Sequence, residues 1–382
     1  MAKSFNVGVV PEVLSWLRTS AGWEIEEAAK RLGTSAEVVK DLESGKRNPT
    51  LKQLHTLSEI YKRPIASFFL SKPKQERPMP KDYRFLPNKT NIFDRKTILA
   101  IRRTRSLQNL SKELSLNINY DTKTEIKKAK LTDNSELIAS EYRKILNLDI
   151  EKQGRFRDAY KMLGHLRDVL EDRNILVFQF SMPIEDARGF ALADETPNII
   201  VINSKDSIEA RLFTLMHELA HIILGETVID LPEESLVVRS NIEAWCNAFS
   251  SAFLLPKEVS IDLFNKSKNS LTETDTLNAL SRKYKVSKAV LLVKMVNLNY
   301  ISRQEFDSVL ARYAPKEAKV EKKEKQAIGM ASDQKCLSEM GNKFVSLVAN
   351  NFDKEFITYN DALSFLSIKS RNFDKVLARA RK

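Results

Sequence analysis

Two histidines and a glutamate stand at a spacing that suits metal-assisted hydrolysis. Residues 217–221 read His217-Glu218-Leu219-Ala220-His221. On an α-helix, residues four apart share one face, so His217 and His221 can bind one metal ion together. Glu218 then projects beside that ion, where a carboxylate can take a proton from an attacking water. The competing interpretation is a pair of core histidines that only hydrogen-bond to their neighbours. Since the chain holds 4 histidines in all, two of them at this spacing around a glutamate favour the metal site.

The residues around this motif predict a buried helix. Residues 212–223 are apolar on nearly every side, as expected of a helix in a protein core. Gly225 follows directly and suits the left-handed conformation that commonly ends a helix. Buried imidazoles need partners, and a metal ion supplies one.

A third metal ligand is expected from a second buried helix, which the sequence predicts between residues 240 and 256. Glu243 is the acidic residue within its apolar body, and a nearby cation would offset the cost of burying that carboxylate. Asn247 lies four residues on, shares the face of Glu243 and can orient the ligand. Two alternatives stay open: Glu243 reaches solvent at the helix start, or Cys246 is the ligand. His55 and His165 lie in other segments and are poor candidates.

Length and composition limit the class of protein. A chain of 382 residues is too long for one typical core, so two or three domains are expected. It has no apolar run long enough to span a membrane and no signal peptide at its start, which predicts a cytoplasmic protein without a membrane partner. The 2 cysteines, Cys246 and Cys336, stand far apart and predict no disulfide framework.

The positive charge is concentrated at the front of the chain. The whole chain carries a formal net charge of +12, and residues 1–130 account for all of it. Residues 131–382 are therefore neutral overall. A basic front end beside a neutral body favours an anionic partner, most simply a nucleic acid, although such charge also serves ordinary solubility.

The N-terminal part of the chain shows a pattern of short helices with clear start and stop residues. A helix begins near Pro11, a second covers residues 25–32 and stops at Gly33, and Ser35 is expected to cap a third. Two short helices joined by a turn form a helix-turn-helix, whose second helix can enter the major groove of DNA. The continuation Leu42–Leu51 resembles the Cro/cI-type (XRE) family.

The residues that would touch DNA are a mixed set. The expected contacts lie on and just after the third helix, at Ala36, Glu37, Lys40, Lys46 and Arg47. Glu37, together with Asp41, would repel phosphate, and the three basic residues partly offset this. DNA binding is therefore one expectation, with docking of a partner protein or self-association in a homodimer as the alternative.

The body of the chain resembles the ImmA/IrrE family of metallopeptidases, which is similar to the gluzincins. The motifs that carry the resemblance, in family order and spacing between Leu137 and Tyr300, are Ala187–Ala191, Pro197–Asn203, Arg211–His221, Glu243–Asn247 and Leu254–Pro256. The resemblance implies Zn²⁺ as the cofactor, with His217, His221 and Glu243 as its ligands and Glu218 as the base. Cys246 departs from the family pattern, which usually has Ala or a similar small residue there.

The resulting expectation is an α+β, predominantly helical protein. It comprises a five-helix helix-turn-helix domain at 8–70, a basic linker and helix at 71–134 and a gluzincin-like metallopeptidase domain with a small β-sheet at 135–310. A charged linker at 311–330 and a small helical C-terminal module at 331–382 follow. Strands are predicted at 175–180, 189–193 and 199–203.

The resemblance implies limited proteolysis of a regulatory protein, such as a helix-turn-helix repressor of a mobile element or stress regulon. Two other functions stay open. One is a DNA-binding transcriptional regulator whose metal domain is sensory or structural, and the other is an antitoxin-like protein that inhibits a bound partner. An intact Glu218 favours the enzyme, because a structural metal site needs no base.

Overall fold

The computed structural model confirms an α+β, mostly helical chain. It describes residues 6–74, 93–225, 229–230, 241–268, 270–313 and 331–380. Residues 75–92 of the predicted basic linker and 314–330 of the charged linker lie outside the described residues. The described residues divide into two compact units, the first formed by residues 6–74 and 93–103 and the second by the described residues from 104 onward.

The first unit contains the helix-turn-helix. Its helices are α1 (Pro11–Ser20), α2 (Ile25–Leu32), α3 (Ala36–Glu43), α4 (Leu51–Tyr61) and a 3-10 helix at Ile65–Phe69. Gly33 ends α2 in the left-handed conformation, with φ +70°, and the Ser35 side chain accepts a hydrogen bond from Val38 N. The helix stop at Gly33 and the N-cap at Ser35 that the sequence predicted are therefore present, and they set the tight turn between α2 and α3.

An ion pair with little exposure joins α1 to α3. Arg18 Nε lies 2.7 Å from Glu43 Oε1, and the two side chains are 9% and 11% exposed. Arg18 Nη1 also donates to Trp23 O at 2.7 Å. Charge-assisted hydrogen bonds of this kind are stronger than neutral ones, so α3 is held at a fixed angle to α1.

The second unit contains the sheet and most of the helices. Helix α5 (Arg95–Asn117) begins in the first unit and ends in the second. The helices that follow are α6 (Ser135–Ile145), α7 (Ile150–Arg155), α8 (Ala159–Glu171), α9 (Ile208–Leu224), α10 (Asn241–Leu254), α11 (Lys257–Lys266), α12 (Thr274–Tyr284), α13 (Lys288–Asn297), α14 (Arg303–Tyr313), α15 (Ser332–Met340), α16 (Asn342–Asp353), α17 (Tyr359–Leu366) and α18 (Phe373–Ala380).

The sheet has four strands in the order β1-β3-β2-β4. They are β1 (Ile175–Phe180), β2 (Gly189–Leu192), β3 (Asn198–Asn203) and β4 (Ile229–Asp230). β1 runs parallel to β3, whereas β2 is antiparallel to both β3 and β4. The three predicted strands are confirmed. Every residue of β1, β2 and β3 is buried, which explains their continuous apolar sequences and requires cover on both faces.

Helices from two distant parts of the chain cover the sheet. Val177 and Ile200 point into the large core shared with α8 and α9. On the opposite face Phe178 packs edge-on against Phe344 of α16, with ring centroids 5.7 Å apart. The C-terminal helices therefore complete the burial of the sheet, a role that their own sequence does not reveal.

A buried ion pair on α8 holds these C-terminal helices. Arg167 Nε lies 3.0 Å from Glu171 Oε1, Arg167 Nη1 donates to Ser338 O at 2.6 Å, and Glu171 Oε2 accepts from Lys343 N at 2.9 Å. Burial raises the pKa of Glu171, while Arg167 opposes this shift. Gly341 has a φ of +80°. A Cβ at this position would overlap the Glu171 carboxylate, so glycine leaves the space that the carboxylate needs.

Within the described part of the chain, no helix combines the length and the apolar character needed to cross a membrane.

Candidate metal centre

Helix α9 carries the His217-Glu218 motif through the protein core. Its N-cap is Ser207, whose side chain accepts from Ala210 N, and it ends at Gly225 with φ +84°. His217 is 1% exposed, and Glu218 and His221 are fully buried. The helix is thus buried and ended as the apolar run and Gly225 predicted.

Helix α10 brings a carboxylate against both imidazoles. His217 Nε2 and His221 Nε2 are 3.1 Å apart. Glu243 Oε2 lies 3.2 Å from His217 Nε2, and Glu243 Oε1 lies 3.4 Å from His221 Nε2. Among the described residues, these three side chains form the one cluster whose donor atoms approach closely enough to bind a common metal ion.

The donor atoms fit a tetrahedral zinc site. Zinc binds imidazole nitrogen and carboxylate oxygen at about 2.0–2.1 Å, so two ligands of a tetrahedral site stand roughly 3.3 Å apart. The three observed separations of 3.1–3.4 Å match that value. Two nitrogens and one carboxylate also make up the ligand set of a catalytic zinc, which keeps a fourth position for water.

Contacts along α10 fix the position of Glu243. Trp245 Nε1 donates to Asp133 O at 2.8 Å, and the Trp245 ring stacks on Phe249 at a centroid distance of 5.6 Å. Tyr142 of α6 then meets Phe249 edge-on at 5.7 Å. These aromatic contacts fix the rotation of α10 about its axis and so the direction of the Glu243 side chain. Glu243 is 2% exposed.

Two buried polar side chains hold the C-terminal end of α10. Arg143 Nη1 donates to Phe253 O and to Gln153 Oε1, the latter at 2.9 Å. Gln153 Nε2 donates to Leu254 O at 2.8 Å. They satisfy carbonyl groups that a helix end leaves without partners. Burial lowers the pKa of Arg143 to about 10, which leaves its guanidinium charged at neutral pH.

Strand β2 passes very close to Glu218 because its first residue is a glycine. A Cβ at Gly189 would lie 2.7 Å from Val201 O and 3.5 Å from Glu218 Cγ, and it would overlap Thr214 Cγ2. Only glycine lets the strand and α9 approach so closely. Gly189 therefore positions β2, an inner strand of the sheet, beside the predicted base.

The other predicted residues of the site take different places. Asn247 is half-buried on α10, and no hydrogen bond within the described residues joins it to the three ligands, so its orienting role stays a prediction. Cys246 Sγ lies 3.6 Å from His221 Nδ1, the ring nitrogen that does not face the other two ligands. His55 is exposed on α4, and His165 Nε2 lies 3.3 Å from Asn147 O.

The sequence offers Arg211, Tyr284 and Tyr300 as donors to a developing oxyanion without selecting one, and in the structure Arg211 and Tyr300 have partners elsewhere. Arg211 Nε donates to Asp206 O at 2.9 Å and Arg211 Nη2 to Ser204 O, so this guanidinium holds the loop before α9. Tyr300 Oη donates to Asn265 Oδ1 at 2.7 Å. Tyr284 is buried, and its backbone oxygen accepts from Gln153.

The predicted DNA contacts lie together in the first unit. Glu37 and Lys40 are exposed on α3, and Ala36 is half-buried at its start. Lys46 and Arg47 are exposed in the turn between α3 and α4. Their side chains are available to a partner.

Comparison with known families supports the reading of both units. Residues 170–295, which hold the sheet strands β1 to β3, α9 and α10, match the Peptidase_M78 model, described as the IrrE N-terminal-like domain. The ImmA/IrrE resemblance is confirmed. Residues 14–68 match the helix-turn-helix model HTH_3, which confirms the XRE-type assignment. No curated protein matches the chain.

Sequence reasoning missed the residues that position the IrrE-like site. Arg143 sits on the apolar side of α6, and a charged residue there is a signal that it satisfies buried carbonyls. Gly189 and Cys246 were noted as parts of motifs, but their contacts with Glu218 and His221 join residues distant in sequence. Periodicity along the chain carries no information about such contacts.

We predict that Gly189→Ala destabilises the protein, because the new Cβ meets backbone at Val201 and the side chain of Thr214. Overpacking of this kind costs about 1–3 kcal/mol, which urea denaturation measures. The control is Gly164→Ala on α8, where a Cβ meets no atom within 4 Å and stability should hold or rise. Equal stability of the two variants would show that the close approach of β2 is not required.

Proposed function

We propose that the chain is a zinc-dependent endopeptidase that acts by limited proteolysis of a regulatory protein, such as a helix-turn-helix repressor of a mobile element or stress regulon. The observation that carries the proposal is the convergence of His217 Nε2, His221 Nε2 and the Glu243 carboxylate within 3.4 Å of one another. The match of this segment to the IrrE N-terminal-like domain supports the same conclusion.

Each side chain of the site has a defined task. His217, His221 and Glu243 would hold the ion, and Glu218 would accept the proton of the attacking water and later give it to the leaving amine. A bound zinc would polarise the scissile carbonyl and make the water more acidic. The complete burial of Glu218 suits a proton carrier, because bulk water does not compete for the proton that it takes up and releases.

The sheet offers a way to align an extended peptide. β2 lies beside Glu218 at Gly189, where β3 and β4 flank it, so β4 is the edge strand to which a peptide could add by main-chain hydrogen bonds. A substrate aligned along this side of the sheet would pass close to the metal ligands. The protein substrate is therefore expected to present an extended, accessible segment for cleavage.

The helix-turn-helix domain would bring the peptidase to its place of action. Lys40, Lys46 and Arg47, with Ala36 and Glu37 beside them, would contact DNA or a docked partner. The match of residues 14–68 to a helix-turn-helix model supports DNA binding. The domain boundaries, a cytoplasmic location and a homodimer stay predictions from the sequence.

The competing function is a DNA-binding transcriptional regulator whose metal domain senses a ligand and does not cut. The helix-turn-helix match favours this reading as much as it favours a recruited peptidase. The two functions differ in their need for Glu218. A peptidase needs it as the base, whereas a metal-binding sensor needs only the three ligands.

We predict that Glu218→Gln abolishes cleavage while the fold and the metal ligands remain, since the amide cannot accept the proton. The measurement is a proteome-wide comparison of new protein N-termini in cells that produce the wild type or the variant. Glu209→Gln, the same change in the first turn of α9, is the matched control and should cleave as the wild type does. New N-termini that persist in Glu218→Gln would contradict the enzymatic proposal and favour the regulator.

We predict that replacing Lys46 and Arg47 with Ala weakens binding to duplex DNA and flattens its salt dependence. Each phosphate contact adds about 0.9 to the slope of log affinity against log salt, so two lost contacts should lower the slope by about 2. Fluorescence anisotropy over a range of salt concentrations measures both quantities. Lys161→Ala, an exposed lysine on α8, serves as the control. An unchanged slope in the double variant would exclude these residues as phosphate contacts.

A further inference from the structure

The two nitrogens of the His221 ring face different neighbours. Nε2 lies 3.1 Å from His217 Nε2 and 3.4 Å from Glu243 Oε1. Nδ1 lies 3.6 Å from Cys246 Sγ, within the range of a hydrogen bond to sulfur. Both His221 and Cys246 are fully buried, so bulk water does not compete for this contact.

Metal binding through Nε2 depends on where the ring carries its proton. A neutral imidazole has one N–H, and Nε2 can bind a metal only when that proton sits on Nδ1. The Glu243 carboxylate would draw the proton to Nε2, because it is a strong acceptor on that side. An acceptor at Nδ1 opposes this and also fixes the rotation of the ring. Cys246 Sγ stands at that position.

We propose that Cys246 is a positioning residue of the metal centre, whose sulfur accepts the Nδ1–H of His221 and so presents Nε2 to the ion. The proposal rests on the proposed function, since it concerns the same site. The ImmA/IrrE resemblance leads one to expect Ala or a similar small residue at this position, and Ala has no acceptor.

The geometry separates this role from direct ligation. Zinc–sulfur bonds are about 2.3 Å long, so a sulfur ligand must stand among the other donor atoms. The cluster of donors consists of His217, His221 and Glu243, while Cys246 Sγ contacts His221 on its Nδ1 side. The sulfur therefore acts through the histidine.

The experiment compares the wild type with Cys246→Ala and Cys246→Val. Ala removes the acceptor and some volume, whereas Val removes the acceptor and fills the space, so a pure packing role would spare Val. Two quantities are measured: the fraction of His221 that carries its proton on Nδ1, by NMR of metal-free protein with ¹⁵N-labelled histidine, and the zinc affinity, by competition with a chelator. The His221 signals are assigned from their loss in His221→Gln.

Both variants should show a smaller Nδ1–H fraction and a zinc affinity about tenfold weaker than the wild type, as is typical when the partner of a metal-binding histidine is lost. Cys336→Ala, the same change at the buried cysteine of α15, should leave both quantities unchanged. The proposal is overturned if either variant keeps the wild-type tautomer and a zinc affinity within twofold. A wild type that shows the Nδ1–H preference, lost in both variants, but binds no zinc would refute the proposed function and leave the positioning of His221 by Cys246 standing.

Discussion

The mutual burial of two imidazoles and a carboxylate where α9 meets α10 is the constraint on which the rest of the structure depends. Such groups are costly to remove from water unless each finds a partner, and donor atoms only 3.1–3.4 Å apart would find one in a shared cation. The arrangement requires two successive helices to be placed relative to each other to within about 0.5 Å. Much of the second unit serves that placement.

Three groups of contacts fix the relative placement of α9 and α10. Tyr142, Trp245 and Phe249 fix the rotation of α10, and the buried Arg143 and Gln153 hold its C-terminal end. Gly189 lets the sheet lie against α9 beside Glu218. On the far side of the sheet, the C-terminal helices complete its burial through Phe344 and the Arg167–Glu171 pair. The sheet, packed on both faces, thus supports α9 from one side. Ligands carried by packed helices are held more accurately than ligands on loops.

The sequence predicted what local pattern determines, and missed what distant contacts determine. The spacing of His217 and His221 along one helix face, the isolated acid Glu243 within an apolar helix, and the glycine stops at Gly33 and Gly225 are all readable from neighbouring residues. The family resemblance added the order of the motifs, and the structure brings the three predicted ligands together. Tertiary packing, for which a single sequence has no periodic signal, determines the remaining features. These are the contact of His221 with Cys246, the close approach at Gly189 and the cover of the sheet by residues 332–353. The DNA contacts could be located on and after α3 but not assigned a ligand, because exposed charge suits several partners.

The central claim is that His217, His221 and Glu243 form one zinc site. Elemental analysis of purified protein after zinc loading and removal of free metal tests it most directly, on the wild type, Glu243→Ala and Glu218→Gln in parallel. We expect about one zinc per chain in the wild type and in Glu218→Gln, and a clear loss in Glu243→Ala, because three protein ligands are the minimum of a catalytic zinc site. No bound zinc in the wild type, or an undiminished content in Glu243→Ala, would contradict it.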